Sequence, residues 1–182
     1  MKTKLLVVLV ALVATASPAD AEGFRVGRCL LAMLALAPAT VSTLTATPGT
    51  ISFNAVNPDS GAVTGSSMAT VQFLLLSGKP QRNWTVSARA AASSYTGCPT
   101  VPASAVTVAC ASASLNSGDG SGSASCGGAG ALSTLDRQVA SGGQGSGTRT
   151  YTVQLNFTLA ESWRYIANAA CALSVVYTVN AL

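Results

Sequence analysis

Few side chains in this sequence could carry covalent or metal chemistry. Its 182 residues include no histidine, which removes the commonest general base, metal ligand and near-neutral proton switch. Beyond residue 39 the carboxylates are Asp59, Asp119, Asp136 and Glu161, and no two lie close in sequence. A glycosidase pair would need two of them, such as Asp136 and Glu161, to meet in space. Gly143-Gln144-Gly145-Ser146-Gly147 places its serine outside the nucleophile-elbow position, and the serine would lack a histidine base. That stretch reads as a hairpin tip. Asn116-Ser117-Gly118-Asp119-Gly120-Ser121 offers one carboxylate where a calcium loop supplies several. Asn83-Trp84-Thr85 and Asn156-Phe157-Thr158 match glycosylation sequons but fall inside expected strands. No catalytic, cofactor or metal site is assigned, and the chain reads as a non-enzyme.

The cysteines carry the one reaction that the composition favours, oxidation to disulfides. There are five. Cys29 lies in the expected leader, which leaves Cys98, Cys110, Cys126 and Cys171, an even set typical of an exported domain. Four cysteines allow three pairings. Cys110 and Cys126 flank a Ser/Gly-rich stretch, so a local bridge between them is easy and is worth about 3 kcal/mol in the chain-entropy account. Cys98 then pairs with Cys171. No Cys-x-x-Cys occurs, and no histidine could complete a zinc site.

Recognition would fall to aromatic residues. Trp84 and Trp163 could stack on sugar rings if exposed. Trp84, however, leads an alternating apolar face and is expected in the core. Trp163 and Tyr165 sit in Glu161-Ser162-Trp163-Arg164-Tyr165, where Tyr165 could pin a strand corner.

The elements that must position these residues are strands. From Thr148 to Leu159, Tyr151, Val153, Leu155, Phe157 and Leu159 share one face, and threonine, glutamine and asparagine share the other. Arg149 falls on the apolar face, at an end expected to lie beyond the core edge. Residues 171–180 and 83–90 alternate in the same way. Shorter strands are expected at Val41–Thr47, Thr50–Phe53, Val106–Ser112 and Arg137–Ala140. Thr47-Pro48-Gly49, Pro58-Asp59-Ser60-Gly61 and Ser77-Gly78-Lys79-Pro80 read as turns. Asn116–Gly130 and Ser141–Gly147 read as Gly/Ser loops. Roughly seven to nine short strands separated by turns read as an all-β fold, a single antiparallel Ig-like sandwich. Ala69 to Leu76 is apolar on both faces near its end. It is either a fully covered central strand or a strand meant for a partner. Phe73 and Leu75 point inward with Val71, and Leu74 and Leu76 point outward, to be covered by the chain's own loops or, as expected, by a neighbouring chain.

The N-terminus is expected to be a leader. Lys2 and Lys4 precede an apolar run, Leu5 to Ala14, and Ala19-Asp20-Ala21 offers a small-residue cleavage site. Arg25 and Arg28 precede a second apolar run that ends in Ala37-Pro38-Ala39. Late cleavage would make residues 1–39 the secretory leader and residues 40–182 one β-sandwich domain. The whole chain carries a formal charge of +4. Beyond residue 39, six basic residues against four acidic ones leave +2. No basic cluster remains to bind nucleic acid, and no apolar run there is long enough to span a membrane.

A resemblance supplements these readings. Asn83-Trp84-Thr85-Val86-Ser87-Ala88, then Tyr95, then Val101-Pro102-Ala103-Ser104-Ala105-Val106 resemble the first half of WxL-type domains. Val175-Val176-Tyr177-Thr178-Val179-Asn180-Ala181-Leu182 resembles that family's closing strand. Trp84-Thr85-Val86 and Tyr177-Thr178-Val179 stand where the family has Trp-x-Leu. The resemblance implies a secreted, β-rich bacterial surface domain held non-covalently at the cell wall. The expectation is a non-catalytic extracellular or cell-surface protein with a structural or adhesive role. Its partners would be wall polysaccharide or other surface proteins. The alternatives are a filament or surface-layer subunit that self-assembles by strand contacts, and a carbohydrate-binding module.

Overall fold

The computed structural model describes residues 7–8, 11–13, 40–53, 61–76, 82–117, 121–145, 147–160 and 171–181. Its strands are β1 (Val7–Val8), β2 (Ala11–Val13), β3 (Thr40–Thr47), β4 (Val63–Thr64), β5 (Ala69–Leu76), β6 (Arg82–Ala90), β7 (Ser94–Tyr95) and β8 (Cys98–Pro102). A 3-10 turn at Ala103–Ala105 leads into β9 (Val106–Ser117), β10 (Gly122–Cys126), β11 (Gly130–Ala131), β12 (Arg137–Gln144), β13 (Arg149–Leu159), β14 (Cys171–Ala172) and β15 (Val175–Ala181).

Two sheets dominate. One runs β10-β12-β6-β15-β2, the other β11-β9-β13-β5-β3, with β4 also on β13. Pairing is antiparallel except where β1 and β2 meet β14 and β15. The apolar faces of both sheets feed one core, in which Val71, Phe73 and Leu75 of β5 join Trp84, Val86 and Ala88 of β6. Alternation explains this directly: β13 is buried at every second residue from Arg149 to Leu159. An aromatic trio ties the sheets together. The Phe73 ring lies 5.1 Å from Trp84 and 5.5 Å from Tyr151, and Trp84 lies 4.8 Å from Tyr151.

Gly142 makes room for that trio. It faces Trp84 across the β12–β6 ladder, and a Cβ on it would fall inside the indole ring and on the Ser123 carbonyl. The expected Gly/Ser loops are therefore partly strand. β9 runs on to Ser117, β10 forms inside 116–130, and β12 continues through Gln144. Small side chains let these strands pack closely, and no proline interrupts their ladders. Thr50–Phe53, expected as a strand, is irregular, yet Ile51 and Phe53 are wholly buried. The strand segments outnumber the expected seven to nine because several are two-residue ladders.

Both expected cysteine pairs are bridged, Cys98 to Cys171 and Cys110 to Cys126. The first ties β8 to β14, beside the paired backbone of Thr96 and Ala172. The second joins β9 in one sheet to β10 in the other.

Candidate functional site

The residues singled out in the sequence do not converge on one place. Trp84 is 1% exposed, so it packs the core and offers no face to a sugar. Burial wins because Trp84 begins the inward face of β6, opposite Gly142. Trp163 and Tyr165 lie outside the described residues, as do Asp59, Asp119 and Glu161. Among the described residues no three histidine, cysteine or acidic side chains gather to hold a metal. No helix among them is long and apolar enough to cross a membrane.

On β5 the alternation is as expected. Phe73 and Leu75 are buried, Leu74 is half-buried and Leu76 is 40% exposed. Both edges of β5 are taken, by β13 and by β3. Its backbone is therefore closed to a partner strand, which leaves a face contact as the way Leu74 and Leu76 could serve assembly.

The available edge lies elsewhere. β15 pairs with β6 along its whole length, from Val175↔Ala90 to Ala181↔Trp84. On its other side β2 reaches only Val175, Val176 and Tyr177. Thr178 to Ala181 has no hydrogen-bonded outer neighbour among the described strands. The other edges are blunted in known ways. β10 is short, polar and disulfide-tethered, and β3 is threonine-rich with an irregularity between Val41 and Thr43. β11 covers only Thr107 and Val108, so β9 is open from Ala109 to Ser117, but that run is mostly small and polar, is bulged at Ala111 and Asn116, and is tied to β10 through Cys110. In contrast, β15 reads Val-Val-Tyr-Thr-Val-Asn-Ala.

A second place was not legible in the sequence. Arg149, expected beyond the core edge, is 3% exposed. It starts β13 on the inward face, opposite Leu75 of β5, with Gly122 of β10 beside its stem. Gln144, also 3% exposed, donates from Nε2 to the Leu75 carbonyl at 3.2 Å and to the Gly147 carbonyl at 2.6 Å. The Tyr151 hydroxyl donates to the Gly143 carbonyl at 3.2 Å. Burial pushes that hydroxyl above its usual range, while Trp84 and the positive charge of Arg149 pull it partly back. Gly122 faces Gln144 across the β10–β12 ladder. A Cβ there would stand 2.7 Å from the Tyr151 hydroxyl and 3.4 Å from Arg149 Cδ, so a glycine lets the arginine stem pass. Only the alternation placing Arg149 inward could have signalled this corner.

Comparison with known proteins finds no match to the chain among family models, curated proteins or solved structures.

Proposed function

We propose that the chain is a non-catalytic structural protein of an extracellular surface that associates with its own copies by strand addition along the outer edge of β15. In this reading residues 1–39 are a secretory leader and residues 40–182 form one Ig-like β-sandwich. The architecture is of the WxL-like type that the residues around Trp84 and Tyr177 resemble. Two disulfides in a chain with few charges suit durable exposure in an oxidising compartment.

The observation that carries the reading is the edge of β15. Among the described residues its outer side is hydrogen-bonded only by the three residues of β2, which lie in the segment that export would remove. Without them a seven-residue apolar strand presents unpaired N–H and C=O groups, a ready template for another chain. The burial of Trp84 counts against a carbohydrate-binding module built on that residue.

The test is sedimentation and electron microscopy of protein beginning at Thr40, secreted from an oxidising host. Concentration-dependent oligomers or filaments are expected. A peptide of Val7 to Val13 carrying solubilising lysines should cap the edge and disperse them. A protein that stays monomeric at all concentrations and binds wall polysaccharide would overturn the assembly reading.

A further inference from the structure

The corner around Arg149 carries an inference that stands apart from assembly. A buried guanidinium cannot shed its proton to escape a low dielectric, as a lysine can, and an uncompensated buried charge is among the costliest features a fold can hold. Arg149 Nε and Nη2 are buried without a hydrogen-bond partner among the described residues. Asp136, the one carboxylate among the described residues, is engaged elsewhere, 3.5 Å from Arg89 Nε. The neighbouring amide is also half-used. Gln144 Nε2 is committed to two carbonyls, which sets the orientation of the amide, and Oε1 is buried without a donor. The two side chains share one corner. Gln144 bonds the carbonyl of Leu75, the residue paired with Arg149, and Arg149 Cδ passes Gly122, the residue paired with Gln144.

We infer that Arg149 and Gln144 form a binding site for one oxyanion, a carboxylate or a phosphate, borne by a hydroxylated compound. The guanidinium fork matches two oxygens of such a group. Gln144 Oε1 accepts from a hydroxyl beside it. Sugar acids and polyol phosphates both present this combination, and the experiment separates them.

Full-length chain secreted from an oxidising host is melted in about 10 mM glucuronate, glycerol phosphate, glucose, or sodium chloride of matched ionic strength. A rise in melting temperature is expected with glucuronate or glycerol phosphate and not with glucose or salt. Whichever anion responds identifies the group. Arg149→Met should weaken that anion's binding roughly ten- to hundredfold. An equal response in Arg149→Met, or no response of the natural chain to either anion, overturns the site. So does an Asp119→Asn variant that loses as much stability as Arg149→Met while the natural chain ignores both anions, because the counter-charge is then the chain's own. Should Arg149→Met fail to fold, the Arg149 Nε–H resonance of the natural chain decides. Its movement on titration supports the site, and a fixed resonance during a thermal rise overturns it.

Discussion

β5 and β15 are both apolar strands with something left uncovered, and what each leaves uncovered differs. β5 lies between β13 and β3 with its backbone paired on both sides, and of its apolar side chains only the outward Leu74 and Leu76 meet solvent. β15 has its large side chains inward, and it is the backbone edge that lacks a full-length neighbour. A solvent-facing leucine forfeits transfer energy in proportion to area. An open edge is a directional template for another strand. The first liability is visible in a run such as Phe73-Leu74-Leu75-Leu76. The second depends on which strand ends up last in its sheet.

The inward side of β5 tolerates charge least. Phe73→Asp or Leu75→Asp should unfold the domain, since a buried unpaired charge costs as much as a small domain's whole stability, about 5–15 kcal/mol. Circular dichroism melts check this, and a folded Leu75→Asp protein would refute its placement. Next in size are the bridges. Cys98 and Cys171 are 73 residues apart and Cys110 and Cys126 are 16 apart. Chain entropy then assigns about 4 kcal/mol to the first and about 3 kcal/mol to the second. Chemical denaturation of Cys98→Ala/Cys171→Ala should show the larger loss, because that bridge anchors β14 just ahead of β15.

The sharpest test sets the two strands against each other. Val176→Lys with Thr178→Lys places charge on the outward side of β15, where both residues are half-buried. It should weaken self-association by roughly tenfold or more while leaving the fold intact. Leu74→Lys with Leu76→Lys should leave association within about twofold. Analytical ultracentrifugation reads both, and the opposite ranking would move the contact to the face of β5.

The smallest effect is titration. Burial pushes the hydroxyl of Tyr177 on β15 far up, and that of Tyr151 in the same direction. An unfolded tyrosine ionises near pH 10 (roughly its ordinary value). Above that pH the unfolded chain has released protons that the fold retains, so stability falls as pH rises past about 10. Thermal melts across that range should show the decline, and Tyr177→Phe should flatten it.

Several features were legible in the residues because they follow from period-two alternation or from local spacing. The inward faces of β5, β6 and β13 could be assigned this way, as could the burial of Trp84. Gly142 and Gly143 misled because glycine and serine favour turns when taken alone. Their place beside Trp84 and Ser123 makes their smallness a packing requirement of β12. Arg149 misled because a charge at a strand end ordinarily reaches water, and here the side chain runs inward past Gly122 of β10.

The all-β class, the inward residues of the main strands and an even cysteine set beyond residue 39 follow from the residue order alone. These depend on a strand's own pleat and on side-chain chemistry. The central place of β5, the lateral place of β15, the joining of opposite sheets by Cys110 and Cys126, and the burial of a guanidinium in the same corner as a half-used amide came from the fold. Strand order, sheet closure and the cover over a corner arise from contacts between residues far apart in the chain, and no local pattern encodes them.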